Sequence, residues 1–139
     1  MERSENVEEY LEALWIIREG GSDVARINRV SEHLGIAPPS AVEMLRKMED
    51  MKLVEYLTRE GVSLTHKGEE EARQIIRKHR LAELLLTEIL DMKVDEEAAC
   101  GLEHHLGEKI ADAVCTKLNH PKKCPHGNDI PRGKCCPGD

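Results

Sequence analysis

The chain has 139 residues, with 27 acidic and 20 basic side chains, a formal net charge of -7 and five cysteines. This length allows one domain or two small ones, and a chain with no Phe, one Trp and two Tyr must build an aliphatic core. It contains no apolar run of bilayer length and no apolar N-terminal signal segment, so we expect a soluble cytoplasmic protein without a membrane partner.

The negative charge is unevenly distributed. Residues 22–67 carry seven basic and seven acidic side chains, whereas acidic residues are in excess in residues 1–21 and 68–99. The net charge therefore does not exclude nucleic-acid binding by the middle segment.

The N-terminal segment predicts three helices. Ser4 suits an N-cap, and Gly20 and Gly21 end the first helix. A short second helix ends at Gly35, and the third begins at Pro38, because proline suits a first helical turn and not an interior. Their apolar stripes are Val7, Leu11, Leu14 and Trp15; Ile27, Val30, Ser31 and Leu34; and Val42, Leu45 and Met48.

A β-hairpin is predicted after the three helices. Residues 53–57 are predicted to form a strand, 59–61 a turn and 62–64 the second, antiparallel strand. This order of elements is typical of a winged helix-turn-helix, in which the third helix enters the major groove and the hairpin contacts phosphates.

The third helix would present Ser40, Ala41, Glu43 and Met44 to the groove near its start. Ser40 and the helix N-terminus suit a phosphate, and Glu43 suits a cytosine amino group. The alternative is that residues 22–64 form a protein-interaction module. The predicted DNA-binding residues are Arg26, Pro39, Ser40, Glu43, Arg46, Lys47 and Arg59.

The second half of the chain predicts further helices and an irregular tail. A long helix runs from about Gly68 to about Leu90, another covers 94–106, and a last one runs from Glu108 to Leu118. The tail from His120 onward is rich in Pro, Gly, Lys and Cys.

The 94–106 helix places metal-ligand side chains on one face. At about 100° per residue, the side chains that share this face are Glu96, Cys100, Glu103 and His104. The opposite, apolar face holds Val94, Ala98, Leu102 and Leu106. A thiol, an imidazole and carboxylates are ligands for borderline transition metals.

Two other helices carry donor pairs. His79 and Glu83 are spaced i, i+4 on the long helix, and Glu9 and Glu12 are spaced i, i+3 on the first. The alternative is that these are solvated charges and a half-buried histidine.

With these residues, the sequence resembles the diphtheria-toxin-repressor family of iron- or manganese-dependent transcriptional repressors, from about Glu5 to Pro131. The strings that carry the resemblance are Glu8-Glu9-Tyr10-Leu11, Lys47-Met48-Glu49, Leu53-Val54, Leu64-Thr65-His66-Lys67-Gly68, Arg77-Lys78-His79-Arg80-Leu81-Ala82-Glu83, Cys100-Gly101-Leu102-Glu103-His104 and Pro125-His126-Gly127-Asn128.

The resemblance implies a mostly α fold: a winged-helix DNA-binding domain over residues 1–73 and a helical metal-binding and dimerisation domain over 74–139. It resembles the short form of the family, without the C-terminal barrel domain. The implied protein is a homodimeric repressor that binds double-stranded operator DNA when loaded with Fe(II) or Mn(II) and controls metal homeostasis. It is expected to be no enzyme and to have no small-molecule substrate.

The resemblance also implies two metal sites per subunit. The first comprises Glu9, Cys100, Glu103 and His104, with Glu12 matching a second carboxylate of manganese-type members. The ancillary site comprises His79, Glu83 and Glu96, with glutamate at the third position where iron-type members have histidine. The thiolate of Cys100 favours Fe(II) over Mn(II).

The tail residues Cys124, His126, Cys135 and Cys136 suggest an additional zinc or iron–sulfur site. The alternatives are a disulfide from Cys124 to Cys135 or Cys136, or free thiols.

Two other functions are weighed against the metal-dependent repressor. One is a redox-responsive winged-helix regulator that acts through its cysteines without metal sensing. The other is a non-haem metalloenzyme, but the chain has no nucleophile motif, phosphate loop or cofactor fingerprint.

Overall fold

Six α-helices and one two-stranded sheet form the part of the chain that the computed structural model describes, residues 5–137, with side chains from residue 6 onward. The predicted cap Ser4 lies outside the described residues. The mostly α fold is as predicted. The helices are α1 Glu5–Glu19, α2 Ile27–Leu34, α3 Pro38–Asp50, α4 His66–Leu84, α5 Glu96–Glu103 and α6 Glu108–Lys117, and the strands are β1 Val54–Leu57 and β2 Gly61–Leu64.

The chain divides into two compact units, Met1–Arg73 and Gln74–Asp139. Helix α4 begins in the first unit and continues into the second. None of the described helices combines the length and the apolar character needed to cross a membrane.

Helices α1 to α3 of the first unit follow the predicted boundaries closely. Gly35 ends α2 in the left-handed conformation (φ 67°), and Pro38 is the first residue of α3. One detail of the α3 stripe is wrong, since Ala41 is fully buried and Val42 only half-buried. Ala41 lies in line with the buried Leu45 at i, i+4 spacing, which turns Val42 about 100° away.

The hairpin of β1 and β2 is the wing of the fold. Its strands pair in antiparallel register, with Val54 opposite Leu64 and Leu57 opposite Gly61. Strand β1 begins one residue later than predicted, because the Leu53 amide still donates to the Met48 carbonyl at the end of α3. Strand β2 begins one residue earlier than predicted. Its Val62 also pairs with Ala25, through N···O distances of 2.7 and 2.9 Å.

The pairing of Val62 with Ala25 requires glycine at position 61. The φ of Gly61 is 133°, and an added Cβ would overlap the carbonyl of Ala25. A side chain at position 61 would therefore push the wing away from the segment before α2.

The second unit packs α4, α5 and α6 around an aliphatic core. Helix α4 continues into a π-helical turn, Leu85–Ile89. The side chain of Asp95 accepts a hydrogen bond from the Ala98 amide (3.0 Å) and so begins α5. The predicted 94–106 helix is thus shorter than expected. Val94 precedes the cap and is 45 % exposed, which corrects its assignment to the apolar face.

The rest of the predicted apolar face of α5 packs against α4. Ala98, Leu102 and Leu106 contact a buried group comprising Ala82, Leu86 and Ala99. A second buried group joins α4 and α6 to the tail and comprises Leu81, Leu84, Ala111, Cys115, Cys124 and Ile130.

The tail contains a tight turn. Lys123 pairs with Asp129, and the Gly127 amide donates to the Cys124 carbonyl at 2.9 Å. This turn fixes Cys124, which is buried, and His126, which is exposed, beside α4.

Gly68, near the start of α4, allows a sharp stability test. A helical Gly→Ala change ordinarily stabilises a protein by up to about 1 kcal/mol. At Gly68 an added Cβ would overlap the Leu53 carbonyl, so we expect Gly68→Ala to lower the free energy of unfolding by about 1–3 kcal/mol, as measured by urea denaturation of the metal-free protein.

The matched control is Gly101→Ala in α5, where an added Cβ meets nothing within 4 Å. This variant should be as stable as the unmodified chain or more so. Equal effects of the two substitutions would contradict the packing of Gly68 against Leu53.

Candidate functional site

The predicted DNA-binding residues are all exposed in the first unit: Arg26, Pro39, Ser40, Glu43, Arg46, Lys47 and Arg59. Five of them lie in α3, and Arg59 lies at the tip of the wing with a positive φ of 67°. Their predicted role in DNA binding stays a prediction.

Ala41 cannot take the role expected for it at the start of α3. Its exposed fraction is 0 %, because it belongs to the core-facing stripe of the helix. The exposed positions beside it are Ser40 and Glu43, and Glu43 pairs with Lys47 at 3.9 Å.

A concave surface between α2, α3 and the wing is lined by Arg26, Arg46 and Arg59 together with Tyr56. The Arg46 guanidinium lies 4.1 Å from the centroid of the Tyr56 ring, and Glu49 lies 3.6 Å from Arg46. Cation–π stacking on the ring holds the guanidinium in place at the surface. The sequence analysis did not single out Tyr56. Its one available signal was that aromatic residues are rare in this chain, which has only three.

A neighbouring concavity is lined by Arg29 as well as Arg26 and Arg59. Arg29 was also missed, because it lies on the exposed side of α2 rather than on α3. The surface thus concentrates cationic side chains, which suits a polyanion.

In the second unit, α5 holds the predicted ligand residues close together. Cys100 Sγ lies 3.5 Å from His104 Nε2, one helical turn further on. Both side chains are half-buried. Glu103 faces the interior, and its side chain is only 1 % exposed.

His79 lies between two buried carboxylates. Its Nδ1 is 3.1 Å from Glu103 Oε1, and its Nε2 is 3.4 Å from Glu83 Oε1. The side chain of Glu83 is 3 % exposed.

The buried carboxylate of Glu103 suits a bound cation. Glu103 Oε2 is buried and has no hydrogen-bond partner within the described part of the chain. A charged oxygen in this environment is costly unless it is paired or coordinates a metal. Thiol, imidazole and carboxylate donors together suit Fe(II), Mn(II) and Zn(II).

A further group of donors adjoins Glu83. His126 Nδ1 lies 2.8 Å from Glu83 Oε2, and ligand atoms of Glu83, Cys124 and His126 all lie within 4.8 Å of one another. Glu96, predicted as the third ancillary ligand, is 73 % exposed at its side chain and lies 3.7 Å from His126 Nε2. The predicted role of Glu96 as a ligand stays a prediction.

Glu9 and Glu12 lie on α1 in the first unit. Glu9 is exposed and Glu12 is half-buried. Their predicted role as ligands stays a prediction.

The structure divides the predicted tail site into two groups. Cys124 and His126 lie beside Glu83, whereas Cys135 and Cys136 lie beside Cys115 and His120. The turn at residues 123–129 directs the first pair toward α4, and a later turn brings the second pair to α6. Sequence reasoning missed Cys115, because its position in an ordinary amphipathic helix gave no signal beyond the residue type.

The thiols of the second group have opposite pKa shifts. Burial raises the pKa of Cys115 to about 12, and hydrogen bonds with Cys136 and Cys135 add to this effect. Burial opposes ionisation of Cys136 as well, but hydrogen bonds from the Gly133 amide and from Cys115 lower its pKa to about 7. Without metal, Cys136 therefore ionises at a lower pH than Cys115.

Two family models match the chain and together cover nearly all of it. Residues 2–62 match the model described as "Iron dependent repressor, N-terminal DNA binding domain". Residues 65–132 match the model described as "Iron dependent repressor, metal binding and dimerisation domain".

Similar proteins of known sequence include two regulators. The HTH-type transcriptional regulator MJ0568 of Methanocaldococcus jannaschii is 32% identical over 80% of this chain and 90% of its own length. The iron-dependent repressor IdeR of Mycobacterium tuberculosis is 32% identical over 91% of this chain and 56% of its own length.

Among solved structures, a manganese-dependent transcriptional repressor in complex with manganese superposes with a TM-score of 0.83 and 30% identity. The match covers 91% of this chain and 58% of that one. The chain thus spans little more than half the length of IdeR and of this repressor structure, but nine tenths of MJ0568.

Glu103→Gln tests the buried carboxylate, since the amide keeps its shape and removes its charge. We expect the metal-free variant to be at least as stable as the unmodified chain, because a neutral amide costs less to bury. Its affinity for Mn(II) should fall by tenfold or more, about 1.4 kcal/mol, as measured by titration calorimetry.

Glu97→Gln is the control, because Glu97 is an exposed carboxylate on the same helix. Its affinity for Mn(II) should be unchanged. An affinity in Glu103→Gln equal to that of the unmodified chain would show that the Glu103 carboxylate is not a ligand.

Proposed function

Since the chain belongs to the iron-dependent repressor family, we propose that it represses transcription as a homodimer that binds operator DNA when a divalent metal is bound, and so controls metal homeostasis. The observation that carries the proposal is the pair of buried carboxylates, Glu83 and Glu103, on either side of His79. A bound metal ion stabilises the arrangement of side chains that holds it, by mass action.

The donor set favours Fe(II). Cys100 supplies a thiolate beside the His104 imidazole, and thiolate ligands favour Fe(II) over Mn(II) in the order of divalent-metal affinities. In this proposal Cys100, Glu103 and His104 belong to one site and His79 and Glu83 to a second, so each subunit binds two ions.

The cationic surface of the first unit supports the DNA-binding part of the proposal. Arg26, Arg46 and Arg59 line one concave surface beside α3, which suits phosphates that flank a groove. The exposed start of α3, with Ser40 and Glu43, would then face base edges.

An exposed apolar segment in the second unit supports a dimer. Leu90, Met92 and Val94 are 54 %, 44 % and 45 % exposed. Large apolar side chains exposed this close together in the chain favour an interface between proteins. A twofold dimer would bind two half-sites about 34–36 Å apart, one turn of DNA.

A regulator that uses its cysteines without sensing metal is not favoured, because the similar proteins are named for their dependence on iron or manganese. These proteins are named as repressors, not as enzymes.

The proposal can be tested by selecting binding sites from a pool of random duplex DNA, with Fe(II) supplied anaerobically. We expect recovered sequences to form inverted repeats with half-sites about one helical turn apart. The same duplexes should be released when a chelator is added. If the protein bound these duplexes with the same affinity in chelator as with Fe(II), the proposal would be overturned.

The double variant Cys100→Ala, His104→Ala tests the coupling between metal and DNA. We expect it to keep its helical circular-dichroism spectrum and to lose Fe(II)-dependent binding to the selected duplex in gel-shift assays. His105→Ala is the control, since His105 is exposed and turned about 100° from His104. The coupling is refuted if the double variant still binds DNA only when Fe(II) is present.

Arg59→Asn tests the contribution of the wing to DNA binding, with asparagine chosen because it tolerates a positive φ. We expect weaker binding to the selected duplex. The slope of the logarithm of the binding constant against the logarithm of the salt concentration should become shallower by about one. Lys109→Asn, an exposed cation of the second unit, should leave the slope unchanged. An unaltered slope in Arg59→Asn would exclude a phosphate contact.

A further inference from the structure

The second unit contains a group of ligand side chains that the proposed function does not use. Cys115 lies in α6, His120 follows that helix, and Cys135 and Cys136 lie in the last described turn. One ligand atom from each of the four lies within 4.8 Å of all the others. We propose that these four side chains bind a single structural zinc ion.

The distances between the ligand atoms are those of a tetrahedral site. Zinc–sulfur bonds of about 2.3 Å and zinc–nitrogen bonds of about 2.0 Å place ligand sulfurs about 3.8 Å apart and sulfur and nitrogen about 3.5 Å apart. Here the Cys136 sulfur lies 3.6 Å from that of Cys115 and 4.0 Å from that of Cys135. Nδ1 of His120 lies 3.5 Å from the Cys115 sulfur and 3.8 Å from the Cys135 sulfur.

The backbone is shaped to bring these side chains together. After α6, Asn119 and His120 both adopt positive φ values, 61° and 53°. This conformation is uncommon for residues other than glycine, and it directs the His120 ring back toward Cys115. The tail turn is closed by the Cys136 amide, which donates to the Gly133 carbonyl at 3.1 Å.

A buried cation lies beside the proposed site. Three thiolates and one Zn(II) carry a net charge of −1. The Arg77 guanidinium has a side chain only 8 % exposed and donates to the Cys135 sulfur at 3.2 Å. It also pairs with Asp112, at 3.0 Å. Gly133 packs against Arg77 with no room for a Cβ, so the tail is fitted closely around this guanidinium.

Three alternatives explain the geometry less well. Buried cysteines often serve as small apolar side chains, but three of them with a histidine around one point go beyond core packing. The sulfurs are 3.6 Å or more apart, whereas a disulfide requires about 2.05 Å. Iron–sulfur clusters spread their cysteines over several irons, which needs wider spacing than ligands that share one ion.

Four protein ligands close the coordination sphere, which is typical of structural and not catalytic zinc. The zinc would join α6 to the C-terminal segment within the second unit. It would therefore be retained under conditions that remove the sensed metal.

The test measures zinc in the full-length chain after dialysis against a chelator strong enough to remove Fe(II) and Mn(II). We expect one zinc per chain in the unmodified protein, and none in Cys135→Ser or His120→Asn. Both positions are half-buried, so these variants are more tolerant than changes at the fully buried Cys115.

The matched controls are Cys124→Ser and Cys100→Ser, which remove thiols outside the group. Both should keep one zinc, and Cys100→Ser should keep it while losing its response to Fe(II), which separates this inference from the proposed function. Absence of zinc from the unmodified chain, retention by Cys135→Ser, or loss in Cys124→Ser would each overturn the proposal.

A second measurement does not depend on any variant. Zinc K-edge X-ray absorption of the unmodified chain should show three sulfur ligands and one nitrogen. A mass two hydrogens lower than that of the reduced chain, without zinc, would indicate a disulfide and would equally overturn the proposal.

Discussion

The second unit is organised around buried negative charge. Glu83 and Glu103 place carboxylates in the interior, with His79 between them. In an apolar environment such groups are costly without a cation. The unit therefore has a reason to bind divalent metal that follows from its own packing, independently of any relative.

Burying these carboxylates costs free energy, which explains how a bound metal ion can affect the helices that carry its ligands. Glu103 belongs to α5, whereas His79 and Glu83 belong to α4, so ions bound at the two proposed sites would act on both helices. A preference of a few kcal/mol for the fixed arrangement is sufficient to shift a two-state equilibrium. The exposed apolar segment at residues 90–94 lies between these two helices in the chain.

The tail cysteines lie in two groups that differ in ligand chemistry. Beside Glu83, an exposed histidine and a buried thiol join carboxylates, which are ligands that exchange ions readily. Around Cys115, three sulfurs and one imidazole lie at tetrahedral distances beside a buried guanidinium. The first chemistry suits a sensor and the second suits a permanent structural ion.

The sequence by itself determined the helices, the wing and the closeness of Cys100 to His104 on α5, because helical periodicity and the positions of Gly and Pro are local properties. It also determined that His79 and Glu83 share a face. Only the tertiary structure decided that Glu103 is buried, that His126 lies beside Glu83, and that the tail cysteines separate. Residues 115 and 136 are 21 positions apart, and no local pattern specifies how an irregular tail folds back onto a helix.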